Sequence, residues 1–257
     1  LKKGEEIGYP IVLKPQYGNQ GKGVILNIKN EKELIQSYNQ IQAEYKDIII
    51  ERYHIGDDYR VLVVDYKVIA VALRTPPYVI GNGLSTIREL IAKENENIKR
   101  GECHEKNLSK IKIDNEVIQC LKSQGKNLNS VLDNNEKIYV RRNANLSTGG
   151  EAVDCTDKIC EENVKICERA ARILNLDICG IDICSDNISI PLKENKGIIM
   201  EMNSAPGLRM HISPSKGKSR NIGRYIVNML YENKPKNIPV ISVTGTNGKT
   251  TTTRLIS

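Results

Sequence analysis

Glu201 and Asn203 stand two residues apart in the run Ile-Ile-Met-Glu-Met-Asn-Ser-Ala-Pro-Gly at 198–207. In an extended chain that spacing puts both side chains on one face. Asp182, in Gly-Ile-Asp-Ile, lies in another apolar run of strand character. Carboxylates held about 4 Å apart repel by roughly 4 kcal/mol at an intermediate dielectric. Their convergence therefore requires a cation, and an all-oxygen donor set suits magnesium; an edge-strand salt bridge is the bland alternative. A second signal is Val-Ile-Ser-Val-Thr-Gly-Thr-Asn-Gly-Lys-Thr at 240–250, an apolar strand entering a phosphate loop built from Gly245, Asn247, Gly248, Lys249 and Thr250. Backbone N–H groups of such loops approach phosphates closely, and the lysine adds a cation.

Three weaker segments lie upstream. Lys14 ends an apolar run and is followed by Gly18-Asn19-Gln20-Gly21-Lys22-Gly23, either a phosphate-cradling glycine loop or an ordinary turn. Glu51 to Arg60 offers carboxylates and extended backbone, suited to a purine and a ribose or merely solvated. Arg141 to Gly150 carries a basic strand end into a hydroxyl-rich loop, suited to phosphate or carboxylate, or simply a connection.

The elements that must position these groups are legible in part. Residues 10–14, 24–28 and 48–50 read as strands and Glu31 to Tyr45 as a helix with 3–4 spacing. Tyr59 to Asp65 and Lys67 to Leu73 read as a hairpin. Residues 81–136 are mixed, with helices predicted at Thr86 to Lys93 and near Glu116 to Lys122. Glu161 to Leu174 is the clearest amphipathic helix. Asp177 to Cys184 and Gly197 to Met202 read as strands and Gly217 to Leu230 as a helix. A polar linker at Glu232 to Asn237 precedes the strand of the phosphate loop.

Composition narrows the classes. The 257 residues are 39% apolar, enough for one large domain or two small ones, and 38 basic against 31 acidic residues give a net charge of +7, suited to an anionic ligand. No apolar run approaches 18 residues, so a soluble, cytoplasmic protein without membrane contact is expected. The 7 cysteines form no CxxC pair and are expected as reduced thiols. No aromatic-interleaved basic stripe speaks for nucleic acid. No Ser/His/Asp or Cys/His arrangement speaks for a side-chain nucleophile.

In this order the segments resemble the ATP-grasp ligases: lysine strand and glycine loop, Glu-x-x-x-x-Gly-Asp-Asp, aspartate on one strand, Glu-x-Asn-x-x-Pro-Gly on the next. The stretch at 201–211 is similar to the magnesium and substrate segment of D-alanine–D-alanine ligases. The runs EKNLSKIKID, NLSTGGEAVD, NSAPGLRMHISPSKGKSRNIG and PVISVTGTNGKTTTTRLIS resemble the cyanophycin synthetase family more closely, and the resemblance covers essentially the whole chain. It implies an α+β ATP-grasp fold over 1–232, with a lid subdomain, a larger antiparallel-sheet subdomain and its amino-terminal part missing. Over 233–257 it implies a linker and the truncated start of a Mur-ligase-like α/β domain, namely its first strand and phosphate loop. The chain is thus expected to be a piece of a larger enzyme.

The activity implied is that of an ATP-dependent carboxylate–amine ligase forming ADP and phosphate, with ATP and Mg2+ as cofactors. In that family one half adds aspartate to a polymer backbone through an acyl phosphate and the Mur-like half adds arginine to the β-carboxylate. The partners implied are aspartate, arginine and an acidic Asp–Arg polymer primer, with a homo-oligomeric parent protein. By position, Lys14, Gln20, Gly21, Lys22 and Gly23 would hold phosphates, Glu51 would sit at the adenine and Asp58 at the ribose. Asp182, Glu201 and Asn203 would hold magnesium. Arg209, His211 and Ser213 would lie near the acyl acceptor or polymer end, and Arg141 and Asn145 would face phosphate or substrate. The chain departs from the generic phosphate-loop pattern at Val243, where a first glycine is usual. A glutathione-type ATP-grasp ligase and a non-catalytic nucleotide-binding fragment are the competing readings; the loop at 244–252 speaks against the former.

Overall fold

The computed structural model describes residues 1–17, 23–102, 105–232 and 240–256. Gln20, Gly21 and Lys22 of the expected glycine loop, and Cys103, lie outside the described residues. The first unit is a three-stranded antiparallel sheet of order β2-β1-β3, from β1 (Ile11–Pro15), β2 (Ile25–Ile28) and β3 (Ile48–Arg52). Helices α1 (Lys2–Ile7) and α2 (Glu31–Gln42) accompany it, and Leu34 and Ile41 of α2 pack with Ile11, Leu13 and Ile28. The start of α2 is set by Asn30, whose side chain accepts from the Glu33 N–H. Helix α1 was not predicted; its sequence reads as a loop, and burial of Gly4 against Leu34 and Ile11 favours the helix.

The second unit is a five-stranded antiparallel sheet, order β10-β5-β4-β11-β12. Its strands are β4 (Asp57–Val64), β5 (Lys67–Thr75), β10 (Glu151–Asp154), β11 (Ile178–Ser185) and β12 (Ile198–Asn203). Alternation along the strands divides the labour. Val61, Val63, Val71, Ile181 and Ile183 turn to one face and pack with Cys167 and Ala171 of α5 (Glu161–Ile173). The other face changes character along its length. Leu62, Val64 and Ala70 meet Ile222 of α7 (Ile222–Tyr231), whereas Asp58, Arg60 and Arg74 continue the same face with charge.

Residues between β5 and β10 form an insert with its own core. It contains β6 (Tyr78–Ile80), α3 (Ile87–Asn95), β7 (Arg100–Gly101), β8 (Leu108–Ser109), α4 (Asn115–Ser123) and β9 (Lys137–Tyr139). Val79, Ile87, Leu90, Ile91, Val117, Leu121 and Ile138 are among its buried residues. A reciprocal Thr86–Glu89 capping box starts α3. Arg100, almost fully buried, ties the insert to the sheet by ion pairs to Glu94 at 3.0 Å and to Glu151 of β10 at 3.2 Å.

Two expectations require correction. The helix predicted over Gly217 to Leu230 begins only at Ile222, because Gly217 sits in the left-handed region at φ +96° against Asp154 and Asn221 caps the helix by accepting from Arg224 N–H. The strand expected at 240–243 is absent. Val240 and Ile241 are 91% and 64% exposed and pair with no strand among the described residues, and an unpaired extended segment has no ladder to join. The loop then leads into α8 (Lys249–Ile256). The six described cysteines are all unpaired thiols. No helix among the described residues is long and apolar enough to cross a membrane.

The packing gives a direct stability contrast. Ile181 is fully buried and Leu84 is 85% exposed. Ile181→Ala is expected to lower unfolding free energy by roughly 2–5 kcal/mol and Leu84→Ala by less than about 0.5 kcal/mol. Urea unfolding of the two variants checks the difference.

Candidate active site

A cavity of about 1030 Å³ opens where the two sheets and the insert meet. The first sheet contributes Lys14, the second contributes Asp58, Arg60, Arg74, Asp182, Glu201 and Asn203, and the insert side contributes Lys137, Tyr139, Arg142, Asn143 and Asn145. Register explains the convergence on the second sheet. Arg60 lies opposite Asp182, Asp182 opposite Glu201, and Asp58 opposite Arg74. Asn203 lies opposite Gly180, two residues from Asp182, and so shares its face.

The charges on this face are interlocked. Asp182, almost fully buried, is ion-paired with Arg60, whose Nη2 donates to its Oδ2 at 3.1 Å. Arg74 Nη2 lies 2.5 Å from Asp58 Oδ1 and 3.1 Å from Asp182 Oδ2, bridging the two carboxylates. Burial raises the Asp182 carboxyl, and the two guanidiniums oppose that shift. Gly180 makes the arrangement possible: a Cβ there would fall 2.7 Å from Arg60 Nη1 and 2.9 Å from Pro206 Cβ. Glu201 accepts from Asn203 Nδ2 at 3.1 Å, and this bond foremost holds its carboxyl below the usual range.

On the first sheet, Lys14 and Glu51 are diagonal neighbours and form an ion pair of 2.7 Å with both side chains partly exposed. Gly23, the described end of the expected glycine loop, has φ +72° and no room for a side chain against Tyr45 and Pro15. The loop at 145–150 is closed by Gly150 N–H donating to Asn145 C=O at 3.0 Å, and Gly149 sits at φ +100°. Arg100 Nη1 donates to Gly149 C=O at 2.9 Å and fixes the loop from below.

Several expected site residues stand elsewhere. Arg141 does not reach the cavity. Its guanidinium is buried in the insert, ion-paired with Asp114 and Glu116 and donating to Lys112 C=O at 3.1 Å, while Arg142 lines the cavity. Arg209 donates to Lys106 C=O at 3.0 Å and is not among the cavity-lining residues. His211 is buried beside Arg60, Arg74 and Asp154 rather than lining the cavity, and neither ring nitrogen has a partner. Burial foremost, then Arg60, pushes its pKa down to about 4. Gly245, Asn247, Gly248, Lys249 and Thr250 belong to the separate exposed segment, where Lys249 Nζ donates to Gly245 C=O at 2.6 Å.

Sequence reading passed over Arg74, Lys137 and Tyr139, and gave Arg60 and Arg142 no role of their own within the segments that contain them. A signal existed for Arg60 and Arg74: Asp58 and Arg60 alternate on a strand whose hairpin partner carries Arg74. Among the described residues no group of three or more His, Cys, Asp or Glu is placed to hold a metal ion. Asp182, Glu201 and Asn203 nevertheless present oxygen donors on one face, and magnesium commonly takes one or two carboxylates and completes its shell with phosphates and water. That donor set fits the ion.

Two sheets thus enclose a polar cleft, with a lysine on one and an Asp, Glu and Asn on the other. A profile of the RimK-like ATP-grasp domain matches residues 2–76 and 90–230, and the chain belongs to that family. A cyanophycin synthetase of Synechocystis sp. is 49% identical over 253 residues, 97% of this chain and 29% of that protein. The glutathione biosynthesis bifunctional protein of Clostridium perfringens is 36% identical over 223 residues, 86% of this chain and 29% of that protein. Among solved structures, a bifunctional glutathione synthetase from Pasteurella multocida aligns with a TM-score of 0.64 at 28% identity, covering 89% of this chain and 32% of that one. The chain thus spans under a third of the length of these relatives.

Burial of neutral His211 makes stability depend on pH. With a folded pKa of about 4 against an ordinary 6.5, the unfolded chain binds the proton first. The contribution is full above about pH 6.5, falls as pH drops, and is lost at about pH 4, a change of roughly 3 kcal/mol. Urea midpoints of wild type and His211→Gln between pH 7 and pH 4 should show a shallower loss in the variant.

Proposed function

We propose that the chain is the ATP-binding part of a carboxylate–amine ligase of the cyanophycin synthetase kind, adding aspartate to an acidic Asp–Arg polymer. The observation that carries this reading is the 49% identity across 97% of the chain together with a cavity that sets Lys14 against Asp182, Glu201 and Asn203. In the proposed reaction the carboxylate attacks the γ-phosphorus of ATP, giving an acyl phosphate and ADP. The amine then attacks the acyl carbon and phosphate leaves. No side-chain nucleophile is required, so the protein acts by positioning and charge.

In this reading Lys14 and the loop at 20–23 hold phosphates, with Glu51 and Asp58 toward adenine and ribose. Asp182, Glu201 and Asn203 hold magnesium, which supplies charge neutralisation at the transferred phosphoryl group. Arg60 and Arg74 keep Asp182 fixed and oppose the charge of the neighbouring carboxylates. The placements of Arg141, Arg209 and His211 argue for roles one step back from the reacting atoms. Residues 233–257 are read as a linker and the opening of a second, Mur-ligase-like nucleotide-binding unit with the loop Gly245–Thr250, the part that would serve arginine addition. A glutathione-type ligase is the second reading, supported by the 36% identical relative; the acceptor amino acid separates the two.

In the longer protein, Glu201→Gln should lower aspartate-dependent ADP release by roughly 100-fold or more with circular dichroism unchanged. Undiminished release would sink the assignment of Glu201. Lys249→Ala in the same protein should stop arginine incorporation and leave aspartate incorporation intact.

A further inference from the structure

Among the described residues, five cationic side chains line the cavity: Lys14, Arg60, Arg74, Lys137 and Arg142. Three are neutralised in place, Lys14 by Glu51 and the two sheet arginines by Asp182 and Asp58. Lys137 and Arg142 have no carboxylate partner among the described residues. Both belong to the insert, whereas Lys14 and the carboxylates belong to the two sheets.

Their placement follows from local structure. Lys137 opens β9 opposite Ile80, and its ammonium is clipped between aromatic faces, 4.0 Å from the Tyr78 ring centroid and 4.7 Å from that of Tyr139. Such contacts hold a cation without cancelling its charge. Arg142 follows β9, one residue after Arg141. The chain bends at Val140 and Arg142; Arg141 is buried in the insert, whereas Arg142 is exposed and lines the cavity. The loop after it is pinned at Gly149 by Arg100. A guanidinium is always charged and matches a carboxylate with two parallel donors.

We propose that Arg142, assisted by Lys137, binds a carboxylate of the non-nucleotide substrate, either the acidic amino acid or the acidic chain end, and thereby sets specificity for acidic substrates. The inference rests on the ligase reading above. It assigns the phosphates to the groups on the two sheets and leaves the cations of the insert to the substrate acid.

The test uses the longer enzyme and separate Michaelis constants for ATP, aspartate and an Asp–Arg chain end. Arg142→Gln should raise the constant for aspartate or for the chain end by about ten-fold or more, with the ATP constant within about two-fold. Arg142→Lys should fall between, since it restores charge without the fork. Lys137→Met should raise the same constant by a smaller factor. A rise for aspartate identifies the acceptor as the ligand and a rise for the chain end identifies the donor; either supports the proposal. A rise confined to ATP makes Arg142 a phosphate residue and overturns it, as do unchanged constants in a variant of wild-type melting temperature. If Arg142→Gln does not fold, the Lys arm and Lys137→Met decide by the same criteria. Wild-type enzyme showing no ADP release with any acidic substrate would instead fell the ligase reading, an outcome distinct from the others.

Discussion

Charge on the inner face of a sheet must be neutralised where it stands, and the rest of the site depends on how that is done. Asp182 is buried on a strand flanked by other polar groups, a position that costs several kcal/mol for an unpaired ion. Arg60 meets it directly from the neighbouring strand and Arg74 reaches it while also holding Asp58. The result is a raft of two cations and two anions, with Glu201 beside it and accepting from Asn203. The raft needs space as well as charge, and Gly180 provides it by having no side chain where the Arg60 guanidinium lies. Apolar residues on the same strands continue the face toward α7, so one sheet serves as core at one end and as chemistry at the other.

The insert completes the enclosure. It is a small body with a separate apolar core, and its hold on the sheet runs through Arg100, which spans Glu94 of the insert, Glu151 of β10 and the carbonyl of Gly149. That single buried side chain therefore links the stability of the insert to the position of the loop bearing Asn143 and Asn145. The cavity is thus acidic and arginine-locked on the sheet wall and carries uncompensated cations on the insert wall.

Much of this was legible in the sequence, and the failures have physical causes. The Glu201/Asn203 alternation and the strand around Asp182 predicted a shared face, which the β11–β12 register delivers. The hairpin at 59–73 was also readable, with Asp65 and Tyr66 as its two-residue turn at positive φ. Its cross-strand pairs were not. Counting back from the turn pairs Asp58 with Leu73, but an irregularity between Leu62 and Val63 shifts the ladder by one and brings Arg74 opposite Asp58. A bulge of that kind leaves no mark in a single sequence. The exchange of Arg141 for Arg142 is local: the chain bends after β9, and a single sequence does not say which of two adjacent arginines turns into the insert. Arg209 and His211 were placed near the acyl acceptor by the family resemblance, but the short helix Arg209–Ile212 carries one to a backbone carbonyl and buries the other.

The most direct test of the account is a structure of the longer protein with a non-hydrolysable ATP analogue and magnesium. The account requires triphosphate density between Lys14 and the Asp182–Glu201–Asn203 face, with a metal peak within oxygen-ligand distance of Glu201 and the Arg60–Asp182 pair unbroken. Nucleotide bound outside this cavity, or bound within it with the metal held by other residues, would contradict it.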